Sequence, residues 1–308
     1  LVLAFVLGLS LVAYAEVQNV KVSGDIAATG VIRSSLTLRD NETVQDFGEN
    51  VSAILSQVRL KVDADLTDNV STTVRLINER VWGAEADDYN VSGKDVNTDI
   101  ALDLAYVTLK EFLYSPLTLT VGRQELRYGN GLIIGDIDTN AIATGHRTNN
   151  RVLPNSLDDL SLRKAFDAVK ATLNYDPLVV DLVYSKIDQN KSVANQNHAS
   201  LTGINANYAV NKELNTEVYL WERSRKAYAS AANTETLIGN ANEEKLRTVG
   251  ARAVYTGLKN LALGLESAFQ FGDHISNATL YPDELGSNAT ALKNRKVTAY
   301  AIQAVGSY

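Results

Sequence analysis

Apolar and polar residues alternate along most of this chain after residue 16. Residues 169–175 place apolar side chains on one face and polar side chains on the other, Asp176-Pro177 forms a turn, and residues 178–184 resume the alternation. A period of two residues is that of a β-strand with one apolar face. No window of useful length shows the helical period, so the pattern predicts an all-β protein.

The alternating segments come in pairs joined by short turns. Further pairs are predicted over 58–66 with 70–81, 100–110 with 117–126, 204–208 with 214–221, and 247–255 with 261–271. A first strand is predicted over 20–33 and a last one over 297–308. Longer polar loops are predicted between the pairs, over residues 34–50, 83–98, 128–163, 187–199, 224–244 and 273–295.

Short turns thus alternate with long loops along the whole chain. This alternation is typical of a transmembrane antiparallel up-and-down β-barrel, and we count about 12 strands. Tyr175, Tyr208 and Tyr255 precede short turns, while Trp82 and Trp221 lie near the long loops, as expected for aromatic girdles at the two membrane surfaces. A soluble β-sandwich or β-solenoid could scatter its tyrosines similarly, but neither readily explains the alternation of turn lengths.

The N-terminus indicates export from the cytoplasm. Residues 1–15 form an apolar run that ends in Ala13-Tyr14-Ala15, an A-x-A cleavage pattern. The run is shorter than the ~20 residues of a spanning helix. We therefore expect a signal peptide over residues 1–15 that has lost its charged start, followed by a barrel domain over residues 16–308. The chain contains no methionine, so we expect it to be a fragment.

Composition excludes several classes of site and partner. The 308 residues include no cysteine, which excludes disulfides and thiolate metal sites. The formal net charge is −7 and no basic face or arm stands out, which argues against nucleic acid as a partner.

Charges recur on the face opposite the apolar one. Around Leu60 and Val62 the alternation assigns Arg59, Lys61, Asp63 and Asp65 to the interior of the barrel. A basic residue facing lipid at the bilayer midplane costs about 2–4 kcal/mol, so charges are expected to face inward. The same phase adds further inward charges, namely Arg75, Glu79, Asp103, Lys170, Asp181, Glu217, Arg252 and Glu266. We interpret the polar interior as a water-filled pore; an interior closed by salt bridges is the alternative.

A short stretch in the middle of the chain resembles a known family. VGRQELRYGNGLIIGD (121–136) and KAFDAVK (164–170) resemble segments of the alginate-export family of outer-membrane porins. The first matches the family's Gly-Arg-Gln-Glu-Leu-x-Tyr-Gly segment at Gly122 to Gly129. The second matches an Arg-x-Phe-Asp-Gly-x-Arg-like segment more loosely, with Lys164, Ala168 and Lys170 at the departures.

The resemblance implies a bacterial outer-membrane barrel, in contact with lipid, that passes polysaccharide or other polar solutes through an arginine-lined constriction. Members of the family usually have more strands, so we expect this chain to stop before its barrel closes. The matched positions that could line the constriction are Arg123, Glu125, Arg127, Asp167 and Lys170. With the inward charges, the predicted pore-lining set is Arg59, Lys61, Arg75, Asp103, Arg123, Glu125, Arg127, Asp167, Lys170 and Arg252.

Strict alternation conflicts with part of this set. It places Arg123 and Glu125 on the face of Val121, which suits lipid. We therefore predict a β-bulge near Gly122 that turns both side chains inward. The loop over residues 128–163 is longer than ordinary connections, and we expect it to fold over or into the lumen.

Other possible sites have weaker support. The segment beginning at Gly135-Asp136 resembles the start of a calcium loop, but Ala141 and Arg147 replace the glycine and glutamate of an EF-hand. His146, His198 and His274 fall in predicted loops with no arrangement that suggests a catalytic triad. An irregular calcium site in the loop over residues 128–163 remains an alternative to a loop that constricts the pore. We otherwise predict a passive porin with no cofactor, metal site or enzymatic activity. The alternative is a structural or adhesive surface barrel with a closed lumen.

Overall fold

The computed structural model describes residues 18–34, 50–83, 100–135, 157, 160–189, 198–226, 243–279 and 290–308. The predicted signal peptide over residues 1–15 lies outside the described residues. Those described form one sheet of β-strands, in the order β1 (Asn19–Ser34), β2 (Asn50–Thr67), β3 (Val70–Val81), β4 (Ala101–Leu109), β5 (Leu117–Glu125), β6 (Ala165–Asn174), β7 (Leu178–Gln189), β8 (His198–Ala209), β9 (Leu214–Lys226), β10 (Glu244–Leu258), β11 (Leu261–Thr279) and β12 (Thr290–Ser307).

Each strand pairs with the next one along the chain, and every pairing is antiparallel. The prediction of an all-β, up-and-down architecture with 12 strands is confirmed. Among the described residues, β1 pairs only with β2 and β12 only with β11, so the sheet is not closed on itself. Across the same ranges we find no helical segment with the length and hydropathy needed to traverse a bilayer.

The connections alternate in length as the sequence predicts. At one end of the sheet, residues 68–69, 110–116, 175–177, 210–213 and 259–260 link neighbouring strands. At the other end the links are residues 35–49, 82–100, 126–164, 190–197, 227–243 and 280–289. Short turns at one end and longer loops at the other are the arrangement of outer-membrane barrels.

The outward face carries an apolar row that crosses eight strands. Leu182, in β7, is 46% exposed and lies opposite Ala171 and Ile204. Continuing this register in both directions defines the apolar row, which consists of Leu119, Ala171, Leu182, Ile204, Leu220, Val249, Phe269 and Tyr300. Such a row suits contact with hydrocarbon, because most of its members are exposed apolar side chains.

Aromatic residues follow the predicted girdles with one exception. Tyr175, Tyr208 and Tyr255 are 54%, 45% and 39% exposed at the short-turn end, and Trp82 is 57% exposed at the other end. Trp221 is only 2% exposed, so its predicted place in a girdle is wrong. The register explains the difference, because Trp221 lies opposite Gly203 and Thr248 on the inner face.

The last two strands extend past their predicted ends. We predicted a loop over residues 273–295, whereas β11 and β12 remain paired up to Thr279 opposite Thr290. The outward apolar pattern stops at Phe271, but backbone pairing needs no apolar face once the strand has left the hydrocarbon. Hydrophobic alternation therefore marks the top of the lipid-facing band and not the end of the strand.

Two glycines on the inner face make room for aromatic rings. A Cβ atom on Gly203 would overlap the indole of Trp221, and one on Gly250 would overlap the phenol ring of Tyr219. Both rings are nearly fully buried. The glycines are therefore required by packing between neighbouring strands.

We predict that Gly203→Ala lowers the free energy of unfolding by about 1–3 kcal/mol, because the Trp221 ring or the strand must move to accept the added methyl group. Gly30→Ala is the matched control, since an added Cβ there meets nothing within 4 Å. Urea unfolding of the refolded barrel measures both variants. Equal stability of the two would contradict this account of the packing.

Candidate functional site: the lumen and the segment that crosses it

The inner face of β2 and β3 carries the first predicted pore-lining residues. Arg59 forms an ion pair with Asp25 at 3.0 Å, and Lys61 forms one with Asp63 at 3.0 Å. Their side chains are 25% and 35% exposed. Alternation with the exposed Val58 and Leu60 on the opposite face explains their inward direction.

Arg75, Asp103 and Glu125 meet at one point of the wall. The Nε atom of Arg75 donates to Asp103 Oδ2 at 2.5 Å, and its Nη2 atom contacts Glu125 Oε1. The Asp103 side chain is fully buried. In the pairing of β3 with β4, Arg75 lies opposite Leu104 and the next pair begins at Leu102, so Asp103 is the extra residue of a β-bulge.

The bulge predicted at Gly122 is not found. β5 pairs with β4 and with β6 without a register shift, although Gly122 itself has a φ of +126°. Arg123 consequently lies opposite Asp167, on the face of Val121, and pairs with Asp167 at 3.6 Å. The inward orientation predicted for Arg123 and Asp167 is therefore wrong, and the physical reason is that a continuous ladder keeps the phase of the side chains.

The remaining predicted pore-lining residues are Lys170, Arg252 and Arg127, and each has different neighbours. Lys170 lies opposite Thr120 and Val183 on the inner face, and among the described residues no carboxylate is within ion-pair distance of it. Arg252 forms an inward ion pair with Glu217 at 3.5 Å. Arg127 lies beyond the end of β5, where its Nη2 atom is 3.4 Å from the carbonyl oxygen of Asn130.

Residues 126–135, which follow β5, form a compact turn inside the sheet; we name them the crossing segment. The Tyr128 N–H donates to the Ile134 carbonyl at 3.0 Å, and the Gly131 N–H donates to the Tyr128 carbonyl at 3.0 Å. These bonds place Gly129 and Asn130 at the tip of the turn.

The tip of the crossing segment binds a row of polar residues on the opposite wall. The inner row comprises Asn207, Glu217, Arg252, Glu266 and Gln303, which lie opposite one another on β8 to β12. The Gly129 N–H donates to Glu217 Oε1 at 2.8 Å, and the Asn130 N–H donates to Glu266 Oε2 at 2.7 Å. The Asn130 side chain donates to Gln303 Oε1 at 3.0 Å.

Glycine is strongly favoured at the tip of this turn. Gly129 has a φ of +61°, which non-glycine residues adopt rarely. A Cβ atom there would also overlap the carboxylate of Glu266. Gly131 shares the left-handed conformation, with a φ of +80°, but a Cβ atom on it would only come into ordinary contact with Arg127, at 3.5 Å or more.

Apolar packing fixes the crossing segment from a second side. Leu126, Tyr128 and Ile134 belong to a buried cluster on the inner face of β6 to β9 whose other members are Phe166, Ala168, Val183, Leu201, Tyr219 and Trp221. The rings of Tyr128 and Trp221 lie 4.8 Å apart, centroid to centroid. Contact with the crossing segment therefore accounts for the burial of Trp221.

The Tyr128 hydroxyl adds a polar contact to this packing. It donates to Asp181 Oδ2 at 2.9 Å. A phenol is protonated at neutral pH, so the Tyr128 hydroxyl is available as the donor of this bond.

The returning end of the same connection binds the β2–β3 wall. The side chain of Glu79, which is 2% exposed, accepts the Leu162 N–H at 2.8 Å and the Ser161 hydroxyl at 2.8 Å. Gln57 donates to the Leu160 carbonyl at 2.8 Å. Both ends of the long connection therefore lie against the inner face, on opposite walls, which confirms in its described part the prediction that it folds into the lumen.

Sequence reasoning placed Asp181, Glu217, Glu266 and Glu79 on the inner face but did not identify them as the groups that hold this connection. The available signal was the Tyr-Gly-Asn-Gly run, whose glycines suit a tight turn close to other groups. The calcium loop considered from residue 136 onward lies outside the described residues. Within the described ranges, no group of three or more His, Asp or Glu side chains is placed to hold a metal ion.

Several solved structures are similar to this chain at low sequence identity. OmpT of Vibrio cholerae with loop L8 deleted, an outer membrane protein, is 11% identical, with 83% of this chain and 82% of that chain covered and a TM-score of 0.36. OccD3 of Pseudomonas aeruginosa is 13% identical over 84% of this chain and 60% of that chain, with a TM-score of 0.38. OmpF of Salmonella typhi, in complex with daunomycin, is 12% identical over 94% and 86%, with a TM-score of 0.37.

The comparison with curated proteins gave no match. The family model described as alginate export matches residues 28–304, which is nearly the whole chain. This match includes the crossing segment and both walls to which it binds, and it agrees with a location in the bacterial outer membrane. The chain therefore belongs to the alginate export family of outer-membrane β-barrel proteins.

Proposed function

We propose that this protein is a passive outer-membrane channel whose bore is narrowed by the crossing segment. The observation that carries the proposal is the contact of Gly129 and Asn130 with the inner row, at the depth where the outward neighbours are apolar. A segment held at that depth leaves the solute path between itself and the β2–β3 wall. Shape and charge along that path then select the solute.

The charges along the path favour hydrated, hydroxyl-bearing solutes. Arg59, Lys61 and Arg75 on the β2–β3 wall each have a carboxylate within 3.5 Å, so this wall offers hydrogen-bond donors and acceptors together and little net charge of either sign. Such a surface suits oligosaccharides or segments of polysaccharide, and the family description, alginate export, names a polysaccharide. The inward Lys170, which has no carboxylate within ion-pair distance among the described residues, can attract anionic groups on such a solute.

The rival function is a structural or adhesive barrel whose lumen is shut by the crossing segment. Single-channel recording in planar bilayers separates the two functions. A channel gives discrete conductance steps from folded protein, and a closed barrel gives none. Absence of conductance from protein shown to be folded would overturn the proposed function.

We predict that Gly129→Ala increases single-channel conductance. The added methyl group displaces the tip from Glu217 and Glu266, and each hydrogen bond to a charged group contributes about 1.5–3 kcal/mol. The free energy lost with both hydrogen bonds is large enough to shift the crossing segment from mostly bound to the inner row to mostly released from it. Gly131→Ala is the matched control, because it bears the same left-handed strain without the overlap. Equal conductance of the two variants would show that the crossing segment does not narrow the bore.

We predict that Lys170→Gln shifts the reversal potential in a salt gradient toward greater cation selectivity, because it removes an inward positive charge. Arg123→Gln removes one positive charge from the outward face and should leave the reversal potential unchanged. Recording near 0.1 M salt keeps the screening length at about 10 Å, short enough to separate the two positions. A shift of the same size in both variants would contradict the assignment of faces.

A further inference from the structure

The outward face carries a second row, four residues beyond the apolar row toward the long-loop end, and it is polar throughout. Asp167 lies opposite both Arg123 and Lys186, and Ser200 lies opposite both Lys186 and Ser224. Lys245 lies opposite Ser224, and the next two strands contribute Asp273 opposite Lys296. The outer polar row therefore consists of Arg123, Asp167, Lys186, Ser200, Ser224, Lys245, Asp273 and Lys296.

On β5, β6 and β7 this row lies where the barrel leaves the hydrocarbon. On β5, β6 and β7 the outward residues before it are apolar, as Val121, Val169 and Tyr184 show with 41%, 41% and 45% exposure. A charge costs about 2–4 kcal/mol at the bilayer midplane but about 0–1 kcal/mol at the surface. Its charged members therefore belong at the level of the lipid headgroups.

The row has a net positive charge, although the whole chain has a net charge of −7. It contains four basic and two acidic residues. Arg123 pairs with Asp167 at 3.6 Å, Lys296 with Asp273 at 2.8 Å, and Lys245 with the exposed Glu243 at 3.4 Å. Lys186 is exposed, lies 5.8 Å from the centre of the Tyr184 ring, and has no carboxylate within ion-pair distance among the described residues.

We propose that the outer polar row binds the phosphate groups of lipid headgroups in the leaflet at the long-loop end. Positive side chains beside a lipid-facing apolar surface match the chemistry of a phosphorylated lipid, whose chains cover the apolar row while its phosphates reach the bases. The acidic members have a complementary role, because a divalent cation can bridge their carboxylates to a second phosphate. This inference rests on the outer-membrane location and not on the identity of the solute.

The test uses the full chain refolded in zwitterionic detergent micelles and titrated with diphosphorylated lipid A. For the double variant R123Q/K186Q we expect the dissociation constant to rise about fivefold for each base removed, at low salt. The matched control is K212Q/K259Q, which removes two exposed bases from the short turns at the other end of the sheet. Binding by the control should equal that of the unmodified chain.

Three results would overturn the proposal. The first is equal affinity of the unmodified chain for phosphorylated and dephosphorylated lipid A, and the second is an equal loss of affinity in the control variant. The third is displacement of lipid A by inorganic phosphate or pyrophosphate at the same concentration as the lipid. That result would show that the row binds a phosphate ion and does not recognise the lipid. If R123Q/K186Q does not fold, Asp167→Asn is tested in its place. In the absence of divalent cations we expect this variant to bind diphosphorylated lipid A more tightly than the unmodified chain. Unchanged affinity for the lipid would contradict the proposal.

Discussion

The need to satisfy every backbone N–H and C=O group inside the membrane is the constraint on which this structure depends. Hydrocarbon offers no partners, so each strand must pair along its length with its neighbours. Continuous pairing fixes the phase of the side chains, and one position in two must then suit lipid. The apolar row from Leu119 to Tyr300 is the direct result, since eight strands in unbroken register place a lipid-compatible residue at the same level.

The same phase sends charged groups inward, where they need partners of their own. Glu217 and Glu266 are 6% and 2% exposed, and a buried carboxylate without hydrogen bonds would be strongly destabilising. Asn205 and Tyr219 supply one donor each, at 2.6 and 2.8 Å, and the crossing segment supplies backbone N–H groups. Wall and segment therefore stabilise each other, because the segment would lose its position without the carboxylates and the carboxylates would lose donors without the segment.

Hydrophobic alternation and turn length were enough to predict the strand order, the faces and most inward charges, because these follow from local periodicity. The β4 bulge at Asp103 could not be predicted, since it depends on how β3 and β4 align and not on either strand alone. The contacts of the crossing segment were also inaccessible, because Gly129 and Glu217 are 88 positions apart in the chain. Only the folded sheet brings such groups together.

Arg123 shows why the family resemblance, with the bulge predicted at Gly122, assigned a charge to the wrong face. A charged side chain on a barrel strand needs to face the lumen only at hydrocarbon depth. β5 leaves the hydrocarbon before its ladder ends, so its phase continues and Arg123 emerges on the face of Val121, opposite Asp167. Glu125 then reaches Arg75, and four residues later Gly129 lies deep in the lumen. A charged residue can be assigned to the lipid headgroups or to a pore only when two things are known. These are its depth in the membrane and the face of the sheet on which its side chain lies.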